Sequence, residues 1–253
     1  MTQRQGSFVW YELMTPDVDR AVKFYGDVVG WGTQSFTGGD APYTVWTTSE
    51  GGIGGVLAPP PDAKKRGVPP HWCAYVSVDD VDAATRKATS LGATTCVPPM
   101  DIPTVGRFSV IHDPQGATLA LFKGPGMPPP ADPVHGRHSW NQLTANDWQS
   151  EFRFYEALLG WEKLDAVDMG PMGTYQIYGQ GGRAYGGMMS KAKDDPGAPR
   201  WLHYVWVDDL DAALGRVRRG GGTVAMGPQE VPGGTRIGHC IDPQGAAFAL
   251  HGK

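Results

Sequence analysis

The chain has 253 residues, 40 % hydrophobic and 19 % charged, enough for two modules with a sizeable core. A net charge of −4 without a basic run excludes an electrostatic nucleic-acid surface, and no apolar stretch approaches the ~20 residues of a membrane helix. The 36 glycines and 22 prolines favour turns and short strands over a helical bundle. The opening MTQRQGSF shows no apolar leader, and Cys73, Cys96 and Cys240 are an odd number without CxxC spacing. Both point to a cytoplasmic protein with reduced thiols rather than to a disulfide framework or a zinc knuckle.

In chain order, the first informative stretch runs from Trp10 to Trp31 and recurs, ungapped, from Trp140 to Trp161 with seven of 22 positions identical. Each copy opens as a short alternating strand and continues as a helix. In the first copy Thr15-Pro16 reads as a cap with an N1 proline, Val18, Val22, Tyr25 and Val29 as the buried stripe, and Gly30 as the left-handed stop. Short strands follow at Tyr43–Trp46 and Ile53–Val56, with copies at Tyr175–Tyr178 and Tyr185–Met188. The Pro-rich stretches Ala58–Pro70 and Lys191–Pro199 read as loops.

A second strand-to-helix unit starts at His71 and recurs at Arg200. Asp79 or Asp80 caps its helix, and Val81, Ala84, Ala88 and Leu91 form the expected buried face. Strands at Arg107–His112 and Ala117–Phe122, joined by the turn Asp113-Pro114-Gln115-Gly116, close the first module; Arg236–Ile241 and Ala246–His251, joined by Asp242-Pro243-Gln244-Gly245, close the second. The organisation is therefore α+β: four βαβββ units in two modules, residues 6–125 and 135–253, separated by a Pro-rich linker over 126–134.

The Asp17-to-Trp31 block (D-x-x-x-A-x-x-F-Y-x-x-x-x-G-W), the Val78-to-Ala84 block (V-D-D-V-D-A-A) and Asp113-to-Gly116 (D-P-Q-G) resemble the vicinal oxygen chelate superfamily, which includes glyoxalase I, extradiol dioxygenases, fosfomycin resistance proteins and bleomycin-binding proteins. All three blocks recur in the second module, and the pattern is most similar to a tandem actinobacterial subgroup labelled glyoxalase-like or hydroxylase. The resemblance implies paired units forming open, curled mixed sheets with helices outside, one cavity per module, and a pseudo-dimer made covalent. It also implies metal ligands on the first, fifth and last strands of each module. Counted from the capping aspartates and the D-P-Q-G turns, those positions hold Trp10, Cys73 and Ala120, then Trp140, Leu202 and Ala249. Five of these six offer no donor to a divalent ion, so no metal and no cofactor is expected. His71, His112 and His135 read as surface residues at strand edges or in the linker, and His203 lies off the ligand parity. His251 shares parity with Ala249, and His138 with Trp140.

Alternation puts Trp10, Glu12 and Met14 on the implied cavity face, with Trp140 and Gln142 as counterparts, and adds Tyr75, Tyr204 and Trp206 on the fifth strands and Phe122 and His251 on the last. The tryptophans either stack a flat ligand or fill the cavity as core. Glu12 is an acid/base candidate, or a carboxylate bonded to a neighbouring strand or to Arg107; His251 is the second such candidate. Arg107 and Arg236 either bind a ligand oxygen or pair with aspartates on the sheet. Three functions remain open: a metal-free binding protein for a flat, largely aromatic molecule in secondary metabolism or self-resistance, a metal-independent cyclase or isomerase on such a molecule, and a metal-dependent lyase or dioxygenase. A small organic molecule is the expected partner, with no nucleic acid and no membrane, and the chain is expected as a monomer or weak homodimer.

Overall fold

A computed structural model describes residues 5–38, 42–124 and 132–253. The first repeat runs β1 (Phe8–Met14), α1 (Val18–Val29), β2 (Gly32–Phe36), β3 (Tyr43–Thr48), β4 (Gly51–Leu57), α2 (Pro61–Lys65), β5 (His71–Ser77), α3 (Val81–Ser90), β6 (Thr94–Ile102), β7 (Gly106–His112) and β8 (Thr118–Lys123). The second runs β9 (His138–Ala145), α4 (Trp148–Leu159), β10 (Glu162–Asp168), β11 (Thr174–Gln180), β12 (Arg183–Ser190), β13 (Arg200–Val207), α5 (Leu210–Arg219), β14 (Thr223–Val231), β15 (Thr235–Ile241) and β16 (Ala247–Gly252). Each repeat builds one eight-stranded sheet, in the orders β2-β3-β4-β1-β5-β8-β7-β6 and β10-β11-β12-β9-β13-β16-β15-β14. β1 is parallel to β4 and β5 to β8, while the hairpin-connected strands are antiparallel, so both sheets are mixed and open. The linker expected over 126–134 lies largely outside the described residues.

Aspartates start all four long helices. Asp17, Asp80, Asp147 and Asp209 each accept a first-turn backbone N–H, and Gly30 and Gly160 close α1 and α4 at φ 75° and 74°. The Thr15-Pro16 start is thus corrected by two residues: the Thr15 N–H still donates to the Leu57 carbonyl (3.0 Å), so the chain is held in the ladder until Asp17. The buried face of α1 is Ala21, Phe24, Tyr25, Val28 and Val29, rotated from the expected stripe. In α3, Thr85 replaces Ala84 and Leu91 as a buried position, because its hydroxyl is satisfied by the Val81 carbonyl (2.7 Å) and Ser109 Oγ (2.6 Å). The loop expected from Ala58 to Pro70 contains α2, begun by Pro61 at its first position.

Contacts gather the chain into two compact units that cut across the repeats: one holds α3, β6–β8, α4 and β10–β12, the other α1, β2–β4, α5 and β14–β16. In the unit with α4, Tyr155, Trp161, Tyr178 and Trp201 pack ring on ring, with Trp161 4.5 Å from Tyr178 and 5.0 Å from Tyr155 between centroids. Phe8 of the first repeat stacks on Trp161 at 5.6 Å, and Trp161 Nε1 donates to the Gly6 carbonyl (2.8 Å). The unit with α1 repeats this design with Tyr25, Trp31, Trp46 and Trp72, where Trp31 Nε1 donates to the Gly136 carbonyl (2.6 Å). Here the visiting residue is His138, the counterpart of Phe8, whose ring stacks 3.5 Å from that of Tyr11. Each repeat therefore lends the opening residue of its first strand to the other repeat's aromatic cluster. The shared parity of His138 and Trp140 suggested a cavity position for His138; the imidazole instead lies among Tyr11, Trp31 and Trp72.

The two D-P-Q-G turns are more than hairpin turns. Asp113 Oδ1 accepts from the N–H groups of Gln115 (3.1 Å) and Ala117 (2.8 Å), Oδ2 accepts the Tyr155 phenol (2.9 Å), and Gln115 Oε1 accepts from the N–H of Asp147 (2.9 Å). Asp242 and Gln244 make the same bonds to Tyr25 and Asp17 in the other unit. A family-like signature thus clasps the start of a helix from the opposite repeat.

Burial pushes His203 down to about 3 and His138 well below the usual imidazole range, the latter helped by neighbouring His203 and Arg137. The unfolded chain takes up these protons near pH 6.5 and the folded chain does not, so stability is lost as pH falls through and below that value, by about 1.4 kcal/mol per pH unit and histidine. His138→Phe, the residue at the mirrored position, is expected to flatten this acid limb. Urea midpoints at pH 4 and 7 check it; an unchanged slope would sink the assignment.

Candidate functional sites on the two repeats

Side chains alternate along β1. Tyr11 and Leu13 are buried, which leaves Trp10, Glu12 and Met14 half-buried on the opposite face. There Trp10 Nε1 donates to the Tyr43 phenol oxygen (2.8 Å), and the Tyr43 hydroxyl donates to Glu12 Oε2 (3.0 Å). Burial and the adjacent Glu12 charge hold the Tyr43 phenol well above its usual range. It therefore remains a proton donor and fixes the carboxylate rather than deprotonating itself. Gly55 makes room for this arrangement, since a Cβ there would overlap the Tyr43 phenol.

The second repeat builds the same relay with one atom type changed. Trp140 Nε1 donates to the Tyr175 oxygen (2.8 Å), Tyr175 donates to Gln142 Oε1 (3.3 Å), and Gly187 provides the clearance. Burial pushes the Tyr175 phenol up to about 12. A carboxylate in one repeat thus answers to a neutral amide in the other. Sequence reasoning used Tyr43 and Tyr175 as strand markers and missed them as site residues. Their offset of 132 residues was the available signal.

The remaining expected positions separate. Tyr75 lies 6.0 Å from Phe108 and 6.1 Å from Phe122 between ring centroids, an apolar patch. Trp206 packs edge-on against His251 at 4.8 Å, and Tyr204 bonds His239 Nε2 at 2.8 Å; His239 is a further residue that sequence reasoning passed over. His251 is flanked by Ser139 Oγ at Nδ1 (3.1 Å) and Thr235 Oγ1 at Nε2 (2.9 Å), and burial lowers it to about 4, so it is neutral at pH 7. Arg107 takes the second of its expected roles: it forks onto Asp82 of α3 (2.6 and 3.0 Å) and also binds Asp101 (2.9 Å). Arg236 pairs with Asp211 of α5 (2.9 Å). Both guanidinium groups are thus paired with carboxylates, Arg107 with Asp82 and Asp101 and Arg236 with Asp211.

The metal positions implied by the resemblance do not fit a divalent ion. Indole and methyl groups at Trp10, Ala120, Trp140 and Ala249 present no lone pair, and Trp10 is committed to Tyr43. Among the described residues no group of three or more His, Cys, Asp or Glu is placed to hold a metal. Nor is any described helix long and apolar enough to cross a membrane.

Comparisons with known proteins bear on this geometry. The sequence pattern of the Glyoxalase/Bleomycin resistance protein/Dioxygenase superfamily matches residues 7–121 and again 137–250. The chain is 34 % identical over 252 residues to the candidate glyoxylase CFP32 of Mycobacterium bovis, covering 98 % of this chain and 95 % of the relative. It is 29 % identical over 259 residues to the anthracycline biosynthesis protein DnrV of Streptomyces peucetius, covering 97 % and 92 %. Among solved structures, the Mn(II)-bound glyoxalase from Novosphingobium aromaticivorans superposes with a TM-score of 0.64 at 17 % identity, covering 98 % of this chain and 82 % of that one. A variant of homoprotocatechuate 2,3-dioxygenase from B. fuscum gives a TM-score of 0.70 at 14 % identity, covering 100 % and 72 %. At those identities the structural likeness speaks for the fold alone. With both halves matched and a relative above 30 % identity, the chain belongs to the Glyoxalase/Bleomycin resistance protein/Dioxygenase superfamily as a tandem two-module member.

Proposed function

We propose that this protein binds a flat, largely aromatic small molecule without a metal, in secondary metabolism or self-resistance. The Trp10–Tyr43–Glu12 relay carries the reading. It stands where the superfamily resemblance implies a metal ligand, and it offers a half-buried indole fixed through its N–H together with an oriented carboxylate. The DnrV relative, named for anthracycline biosynthesis, supports the metabolic setting. Three cysteines, an odd number, suit a reducing compartment, so a cytoplasmic location belongs to the same proposal.

Native mass spectrometry and elemental analysis of purified, undialysed protein test it together. The expected result is a co-purified organic mass with metal far below one equivalent; near one equivalent of iron, zinc, manganese or nickel would overturn it. The same spectrum decides between a monomer and a weak homodimer. A metal-independent cyclase or isomerase is the second reading, favoured by Glu12 being a carboxylate where Gln142 is an amide. Glu12→Gln separates the two. For a binding protein we expect about a tenfold or greater loss of affinity for the recovered ligand, as a charged hydrogen bond is lost. For an enzyme we expect turnover to fall roughly 10²–10⁴-fold with binding kept.

A further inference from the structure

Among the described residues, each of the four outermost strands has a sheet neighbour on one side only. Such a strand presents N–H and C=O groups on its other side, ready to pair with a second chain. Three of the four carry features that oppose this. β6 contains Pro98 and Pro99 and β14 contains Pro228, each lacking a donor, and both strands break register against their neighbours. β10 has no proline but reads Glu-Lys-Leu-Asp-Ala-Val-Asp, with a register break between Lys163 and Asp165. Laid antiparallel on its own copy about its centre, β10 would oppose Asp165 to Asp165 and Glu162 to Asp168, like charge to like.

β2 has none of these features. It reads Gly-Thr-Gln-Ser-Phe, without proline or charge, and its ladder with β3 runs unbroken from Gly32–Thr47 to Phe36–Tyr43. Gly32 to Ser35 are exposed and Phe36 is half-buried. The strand is also complementary to itself. Antiparallel pairing about a twofold axis through Gln34 sets amide against amide, and sets Thr33 against Ser35 on both sides, hydroxyls suited to cross-strand hydrogen bonding. It also sets Phe36 against Gly32 on both sides, where an aromatic ring can lie over a position with no side chain. No like charges meet. The contact is isologous and uses up the β2 edge of each copy, so it closes at two chains.

We propose that β2 is a self-association edge, on which a second copy of this chain pairs its own β2 antiparallel about Gln34 and joins two eight-stranded sheets edge to edge. The proposal goes beyond the ligand-binding reading and does not depend on it. A ladder of five residues a side covers well under the ~1,200 Å² of a standard interface, so the dimer is weak, with a Kd on the order of 100 µM.

The test is sedimentation equilibrium of the full chain from about 5 to about 500 µM, with Gln34→Glu, Gln34→Lys and an equimolar mixture of the two variants. The wild type is expected to dimerise within this range. Each variant alone is expected to lose about tenfold or more in affinity, because the axis then opposes like charges. The mixture is expected to regain it as a heterodimer that weakens with added salt. Amide hydrogen exchange of the wild type gives a readout that needs no variant. The amides of β2 are expected to slow roughly threefold between the two concentrations, with those of β10 unchanged. A wild type still monomeric at the highest concentration would overturn the proposal and leave the edge to an extended segment of another protein. A dimer kept in both variants, a mixture no tighter than either variant, or slowed exchange at β10 in place of β2 would also overturn it, by moving the contact elsewhere. A monomer that holds its organic ligand overturns this proposal alone, and a dimer with near one equivalent of metal overturns the ligand-binding reading alone.

Discussion

Trp161→Ala is expected to destabilise the protein by about 3–5 kcal/mol and to lower its thermal midpoint by roughly 10 °C. The residue is 1 % exposed and touches Phe8, Tyr155, Tyr178 and Trp201, so truncation removes a large apolar contact area and leaves a void among rings that cannot collapse freely. It also orphans the Gly6 carbonyl, which accepts the indole N–H. Trp161→Phe keeps most of the ring area and loses only that bond, so about 1–2 kcal/mol is expected. Thermal melts of the two variants check the ratio. Equal losses would mean that the hydrogen bond, not the ring packing, dominates.

Asp113→Ala is expected to cost about 3 kcal/mol or more at pH 7, since the Tyr155 phenol and the Gln115 and Ala117 N–H groups lose one shared acceptor. Asp113, unlike Asp242 with its mirrored bonds, also has Glu151 beside it, where the mirrored position is Ala21. Glu151 is 1 % exposed. Burial first, and the Asp113 charge second, push its carboxyl up to about 9, so it holds a proton at neutral pH. The unfolded chain releases that proton near pH 4.5. The stabilising contribution is therefore complete below that value and is lost as pH rises through about 9. Glu151→Gln keeps a hydrogen-bonding group without the titration and is expected to flatten the decline of urea midpoints between pH 5 and 9. A wild-type-like slope in that variant would show that Glu151 ionises normally.

How much of this the sequence disclosed follows from where each element is buried. The internal strands and long helices were legible because each has one buried face, and the mirrored Trp, Tyr and Gly positions fixed the repeat. β2, β6, β10 and β14 were not located. They are the outermost strands of the two sheets, their side chains are largely exposed, and β6 and β14 contain prolines that only an edge tolerates. Glu12 and Trp10 could be placed by alternation along one strand, but the phenol joining them comes from a strand 31 residues from Glu12, and alternation says nothing about lateral neighbours. His239 was hidden for a different reason: Val110 occupies its mirrored position, so symmetry, the most informative signal in this chain, points away from it. The same reliance on parity misplaced His138.

The lending of Phe8 and His138 has a consequence for how such a chain can change. In a homodimer of identical modules every substitution is imposed twice, once on each side of the twofold axis, and a change useful at one site must be tolerated at its copy. Here the two exchanged residues are encoded separately, and one is already a phenyl ring while the other is an imidazole. The covalent joint therefore converts a symmetric constraint into two independent ones. Glu12 against Gln142, Glu151 against Ala21, and His239 against Val110 are changes that a symmetric assembly would have had to accept in duplicate.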